Sequence, residues 1–98
     1  MFSTPELRLP MSVLNFTTVR DRLRLTFPGA DESDIDGARL VVEEGVVLAR
    51  ESSTEAVVSL RIEGFSSGGY QKLVTHCLIS LHEAGTLLRR QIEETAVP

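Results

Sequence analysis

The chain has a single cysteine, few aromatic residues and no long apolar run, and each shortage excludes a class of protein. Cys77 alone cannot close an internal disulfide and gives no metal-ligand spacing. Aromatic residues make up 5% of the sequence and the formal net charge is −4. Nucleic acid is therefore not an expected partner, because single strands need exposed rings to stack on and duplexes need a basic face. No apolar run approaches the ~20 residues that span a bilayer, and the first residues lack the charged and apolar regions of a signal peptide. The expectation is a cytoplasmic protein with no membrane partner.

What remains has ordinary globular chemistry, with 42% hydrophobic and 24% charged residues. A chain of 98 residues buries about two-thirds of its unfolded surface, enough for one core and not for two. The pattern along it reads strand, helix, three strands, helix. Residues 7–13 alternate and form a first strand, with Pro10 pushing it towards a sheet edge or a bulge. Asn15 is a helix N-cap, and Phe16, Val19, Leu23 and Phe27 recur at helical spacing until Pro28-Gly29 ends the run. Residues 30–34 are acidic and read as a solvated loop. Gly37 opens a second strand, and Glu43-Glu44-Gly45 turns it into a third. From residue 69 to 94 a long helix carries Leu73, Cys77, Leu81, Leu88 and Ile92 on one stripe, flanked by Val74, Leu78 and Ala84. Ile79 lies off that stripe, and Gly85 inside the helix marks either a close contact or a kink. The sum is an α+β two-layer sandwich, a four-stranded, mainly antiparallel sheet with two helices on one face.

Chemistry concentrates in one place. Arg50-Glu51-Ser52-Ser53-Thr54-Glu55 sits between the strand-like residues 46–49 and 57–62. A guanidinium offers a planar fork of donors that fits phosphate, and its charge does not titrate away. The three hydroxyls, with the backbone N–H groups of a tight turn, can complete a concave anion site. On chemistry alone, an ordinary polar hairpin with an arginine at its base explains the same run equally well.

The stretch Asp36-Gly37-Ala38-Arg39-Leu40-Val41-Val42, then Gly45, then residues 48–55 and Leu60-Arg61-Ile62-Glu63, resembles the C-terminal, fourth domain of the α-D-phosphohexomutases. Within that superfamily the bacterial phosphomannomutase/phosphoglucomutase branch is the most similar. Ser3-Thr4-Pro5-Glu6 is similar to the hinge by which that domain begins. The resemblance divides the chain into a hinge segment, residues 1–6, and a phosphate-binding domain, residues 7–98, with a TATA-binding-protein-like fold. It implies that Arg50, Ser52, Ser53 and Thr54 grip the nonreacting phosphate of a hexose phosphate. Ser53 stands where Asn or Gly is usual, Ala56 where proline is common, and Glu51 sets a carboxylate beside the site. Strand alternation would turn Glu51 away from Arg50 if the strand runs that far.

The resemblance also implies that the phosphorylated serine and the Mg2+ of the mutase reaction lie on other domains. This chain has neither an Asp-Gly-Asp-x-Asp run nor a Gly-Glu-x-Ser-Gly-His run, so alone it is expected to be inactive, and its partners are the hexose phosphate and the remaining domains. A stand-alone regulatory or protein-interaction module on the same scaffold is the alternative. Other residues read as structural. His76 and His82 are too far round a helix to share a metal, Cys77 falls on the apolar stripe, and the acids between residues 31 and 36 lack the order of a calcium loop. Arg89 and Arg90 complement a helix end, and Arg61 and Glu63 share one side of the last strand.

Overall fold

The computed structural model describes residues 2–34 and 37–96. Asp36, at the start of the stretch that carries the family resemblance, and the two chain ends lie outside them. Six strands, β1 (Phe2–Ser3), β2 (Leu7–Pro10), β3 (Asp31–Ser33), β4 (Ala38–Val42), β5 (Gly45–Glu51) and β6 (Val57–Gly64), form one antiparallel sheet. Its order is β3-β4-β5-β6, with β1 and β2 laid end to end along the outer side of β6. Helices α1 (Phe16–Thr26), α2 (Ser67–Ser80) and α3 (Gly85–Ala96) cover one face, over β5, β6 and β2 respectively. The α+β two-layer sandwich expected from the sequence is the fold, with short strands added to the four expected.

Alternation explains which face is covered. Leu7, Leu9, Leu40, Val47, Ala49, Val58, Leu60 and Ile62 are buried towards the helices. The residues between them, Arg8, Arg39, Leu48, Arg50, Ser59 and Arg61, occupy the open face. From the helical layer, Val19, Leu23, Leu73, Cys77, Leu81, Ala84 and Leu88 complete the core. Burial pushes the Cys77 thiol up to about 12, which removes it as a nucleophile near neutral pH.

The first segment is one edge strand interrupted at Thr4, the buried polar residue of the described core. Thr4 N–H donates to Ile62 O at 2.9 Å, and Ile62 N–H donates to Thr4 Oγ1 at 3.1 Å. The side-chain hydroxyl thus replaces a ladder acceptor where the strand breaks step. Pro10 falls at the end of the edge strand, where its missing N–H costs no ladder bond. Asn15 caps α1 by accepting from Thr18 N–H at 2.9 Å.

The first expected strand stops at Pro10, with residues 11–13 in a turn, and two further expectations do not hold. Residues 31–33 are strand β3, paired with Ser33 opposite Arg39 and Asp31 opposite Val41, not a solvated loop. The edge position lets acidic side chains be solvated or paired, and Glu32 forms a forked ion pair with Arg24 at 2.6–3.0 Å. The long C-terminal helix is broken at Leu81, followed by a single 3-10 turn, His82–Ala84. Twenty-six residues of straight helix would measure ~39 Å, whereas the longest dimension of the protein is 34 Å. Breaking the helix folds α3 back across β2 while Leu81, Ala84 and Leu88 all stay buried.

The break is tied to α1. Thr26 Oγ1 donates to Ser80 Oγ at 2.8 Å, Arg22 reaches Ser80 O at 3.3 Å, and Arg22 forks onto the Glu83 carboxylate, one arm at 2.6 Å. That hydrogen-bonded guanidinium holds the Glu83 carboxyl down at about 2. A depressed folded-state value means that the pair stabilises fully above the ordinary carboxylate range and loses its effect as pH falls from 4.5 towards 2. Arg22→Gln is therefore expected to be less stable than the parent in urea titrations above pH 5. The gap should narrow as pH approaches 2, and it should be modest because both side chains are partly solvated.

Candidate functional site

Strand β5 carries Arg50 to the edge of the open face and ends one residue later. Arg50 pairs with Ser59 on β6, and Ser59 pairs with Arg8 on β2, so Arg8, Ser59 and Arg50 form one row across three strands. Arg61 lies two residues further along β6 on the same face, and Arg39 on β4 shares it. One arginine from each of β2, β4, β5 and β6 thus collects on one side of a protein whose net charge is −4.

Gly37 lets β4 begin flush against this row. Its φ is +116°, which L side chains rarely adopt, and a Cβ there would lie 2.4 Å from Ala49 O and 3.2 Å from Arg50 Cα. The backbone that presents Arg50 is therefore fixed from the β4 side as well as through the β5–β6 ladder.

The loop after Glu51 is held at several points. Ser52 N–H donates to Val57 O at 3.0 Å, closing the loop at its neck. Ser52 Oγ accepts from Thr54 N–H at 3.3 Å and Glu55 N–H at 3.2 Å, a serine turn that sets the loop's curvature. The exit is fastened by Met11 N–H donating to Ala56 O at 3.0 Å, and Glu55 pairs with the Arg8 guanidinium. These ties supply the rigidity that proline at position 56 would otherwise have given.

Arg50, Ser52, Ser53 and Thr54, the four residues singled out in the sequence, line one cleft of about 360 Å3, together with Glu6, Arg8, Glu51, Val57 and Ser59. Its size is that of a small-molecule site. Two details differ from expectation. The turn amides of Thr54 and Glu55 are taken up by Ser52 and are not the open nest of N–H donors that a tight turn can offer an anion. Strand β5 does reach Glu51, yet Glu51 lines the cleft, because it is the last paired residue and stands at the mouth where the loop curls over.

Glu6, Arg8 and Ser59 carried no signal as site residues in the sequence. Arg8 is visible as the polar member of an alternating strand, but its proximity to Arg50 depends on β2 joining β6, and β6 joining β5. Ser59 Oγ donates to Glu6 Oε1 at 2.6 Å. That hydrogen bond, with the charges of Arg8, Arg50 and Arg61, holds the Glu6 carboxyl below the usual carboxylate range against a smaller opposing effect of burial. A second cleft of about 190 Å3 adjoins the first and shares Glu6, Arg50 and Ser59 with it, adding Arg61 and Glu63.

The histidines lie elsewhere. The His76 ring is tilted against Phe27 with centroids 6.2 Å apart, and His82 Nε2 is 3.3 Å from Glu83. Among the described residues, no group of three or more His, Cys, Asp or Glu side chains is placed to hold a metal ion, and no helix is long and apolar enough to cross a membrane.

No protein-family model matches the chain, and no curated protein matches it. Among solved structures it is similar to a phosphoglucomutase/phosphomannomutase family protein from Burkholderia thailandensis, with 35% sequence identity and a TM-score of 0.63. The similarity covers 85% of this chain and 18% of that protein, so the chain spans about one domain's share of its relative. The resemblance to the phosphohexomutases carried by residues 36–63 is thus matched in the fold.

Proposed function

We propose that this chain, which resembles a domain of the phosphoglucomutase/phosphomannomutase family, is the phosphate-gripping C-terminal arm of a hexose-phosphate mutase. The observation that carries this reading is the placement of Arg50, at the end of β5, on the wall of a cleft shared with the hydroxyls of Ser52, Ser53 and Thr54. Arg50 supplies a bidentate cation for the nonreacting phosphate, and the hydroxyl protons of the loop supply neutral donors. Arg8 and Arg61 stand nearby on the same open face, but Glu6, Glu51 and Glu63 stand among them and Glu55 pairs with Arg8, so Arg50 carries the attraction on this reading.

In such an enzyme the arm has a positional role. Fixing one phosphate holds the sugar with its other end at the reacting centre, which removes part of the entropic barrier. The phosphorylated serine and the Mg2+ that would neutralise charge on the transferred phosphoryl group belong, on this reading, to the other domains. On this reading the arm closes over the bound sugar and excludes water, and Ser3 and Thr4, which pair with Glu63 and Ile62 of β6, move with it. The chain alone binds but does not turn over a hexose phosphate.

An NMR titration of the labelled chain with glucose 1-phosphate, and separately with inorganic phosphate, tests the reading. One arginine and a few hydroxyls at ~1–3 kcal/mol each sustain millimolar affinity. The expected result is a set of shifts centred on the amides of residues 50–55 with both ligands. Silence of those amides at tens of millimolar would remove the loop as a phosphate site of the isolated arm.

A further inference from the structure

We propose that the Glu6 carboxylate is a built-in anion occupying the phosphate position of this cleft, so that the site admits phosphate dianions and turns away singly charged ligands. The inference rests on the phosphate-binding reading of the loop and adds a specificity-determining residue to it.

The 2.6 Å bond from Ser59 Oγ to Glu6 Oε1 has the length of a charge-assisted hydrogen bond to a carboxylate. Ser59 is the middle of the row Arg8–Ser59–Arg50, so its hydroxyl marks the point between two guanidinium-bearing strands. A carboxylate held there takes the Ser59 hydroxyl proton that a phosphate in the same cleft would also use. The Ser59 bond chiefly holds the Glu6 carboxyl below the usual carboxylate range, with burial opposing it and the charges of Arg8, Arg50 and Arg61 each adding a smaller downward effect. Glu6 also lines both adjoining clefts, so any anion entering either one meets it.

The backbone around Glu6 permits exchange. Thr4 is hydrogen-bonded to Ile62 on one side, and Leu7 is paired with Leu60 on the other. The side chain between these anchors is exposed and can leave Ser59 without opening the sheet. A ligand that takes the Ser59 hydroxyl must displace it, because one hydroxyl proton serves one acceptor at a time. A phosphate dianion brings more charge and three acceptor oxygens, and therefore gains more from the same donors than Glu6 does. A carboxylate or another monoanion gains only what Glu6 already has. The site therefore gives up affinity and acquires selectivity for phosphate monoesters.

The test is an NMR titration of the 98-residue chain and its Glu6→Gln variant with inorganic phosphate at about pH 8, where phosphate is mostly dianionic, and with acetate as the monoanion. Glutamine keeps an acceptor for the Ser59 hydroxyl, and Glu6→Ala serves as a second variant with the same expected direction. Removing one like charge next to the ligand is expected to tighten phosphate binding about fivefold, the equivalent of ~1 kcal/mol at 4 Å in water. Acetate, inert towards the parent, should begin to perturb the Ser59 and Arg50 amides of the variant. In the parent, the Glu6 side-chain carboxyl carbon should shift as phosphate saturates. Equal or weaker phosphate binding by both variants, with residues 50–55 still responding, would overturn the inference while leaving the phosphate site intact. No response of residues 50–55 in parent and variants alike would overturn the phosphate-site reading and this inference with it.

Discussion

Gly45→Ala is expected to destabilise the protein by roughly 2–4 kcal/mol, the largest effect of any single methyl addition to the sheet. Gly45 follows the two-residue turn Glu43-Glu44 and pairs with Val42 on β4 and Gly64 on β6 at once. A Cβ there would lie 1.9 Å from Glu63 O and 2.9 Å from Gly64 Cα. Both are backbone atoms at the end of the β5–β6 ladder, where Phe2 also pairs with Gly64, so neither can swing aside as a side-chain tip would. Its φ of +158° is also one that L side chains seldom adopt. The β5–β6 ladder must part locally or the hairpin must rebuild, and either costs hydrogen bonds in the central pair of strands. For a domain of this size the loss corresponds to a fall in Tm of roughly 10–30 °C, measurable by circular dichroism. Gly29→Ala is the matched comparison. Nothing lies within 4 Å of its would-be Cβ, so it should be close to neutral. Equal melting temperatures for the two variants would show that the close approach at Gly45 does not decide the stability of the hairpin.

The parts of this fold that were legible in the sequence are those where one local pattern and one tertiary environment agree. The strand-like apolar runs Val46-Val47-Leu48-Ala49 and Val57-Val58-Ser59-Leu60, on either side of a polar loop, predict two central strands. Asn15 predicts the start of α1 because its cap is a contact within one turn. Gly85 offers a kink as one of two readings and begins α3 just past the break, yet the break at Leu81 itself is hidden, since Leu81, Ala84 and Leu88 keep helical spacing through it. What breaks the helix is the size of the sheet beneath and the grip of Arg22 and Thr26 on Ser80. Strand β3 escaped for the opposite reason. Asp31-Glu32-Ser33 has no apolar member to signal a strand, and only its pairing with β4 makes it one.

The same division holds at the cleft. Arg50, Ser52, Ser53 and Thr54 are adjacent in sequence, so a loop between two strands suffices to bring them together. Glu6, Arg8 and Ser59 reach the cleft only through the strand order β2-β6-β5, which joins segments some fifty residues apart. Composition pointed the wrong way here as well. A net charge of −4 does not reveal the four arginines on one sheet face, where Glu6 and Glu63 stand beside them and Glu55 pairs with Arg8.

In the complete enzyme that the proposed function implies, Arg50→Ala is expected to lower kcat/KM for a hexose phosphate about 100-fold, mostly through KM. A hydrogen bond to a charged partner contributes ~1.5–3 kcal/mol, which is a factor of about 10 to 150. The nonreacting phosphate keeps its charge throughout the reaction, so its grip is felt in the ground state and the transition state alike. Losing uniform binding of this kind raises KM more than it lowers kcat. Some loss of kcat remains, because a sugar held at one end fewer spends less time aligned with the reacting centre. Arg50→Lys separates charge from geometry: an ammonium keeps the attraction but offers no planar fork, so recovery should be partial. Arg50 is exposed at a strand end, and a melting curve close to the parent's would confirm that the alanine variant is folded. Steady-state kinetics unchanged in the alanine variant would remove Arg50 from the site. A fall in kcat with KM unchanged would instead assign Arg50 to the reacting phosphate rather than to the distant one.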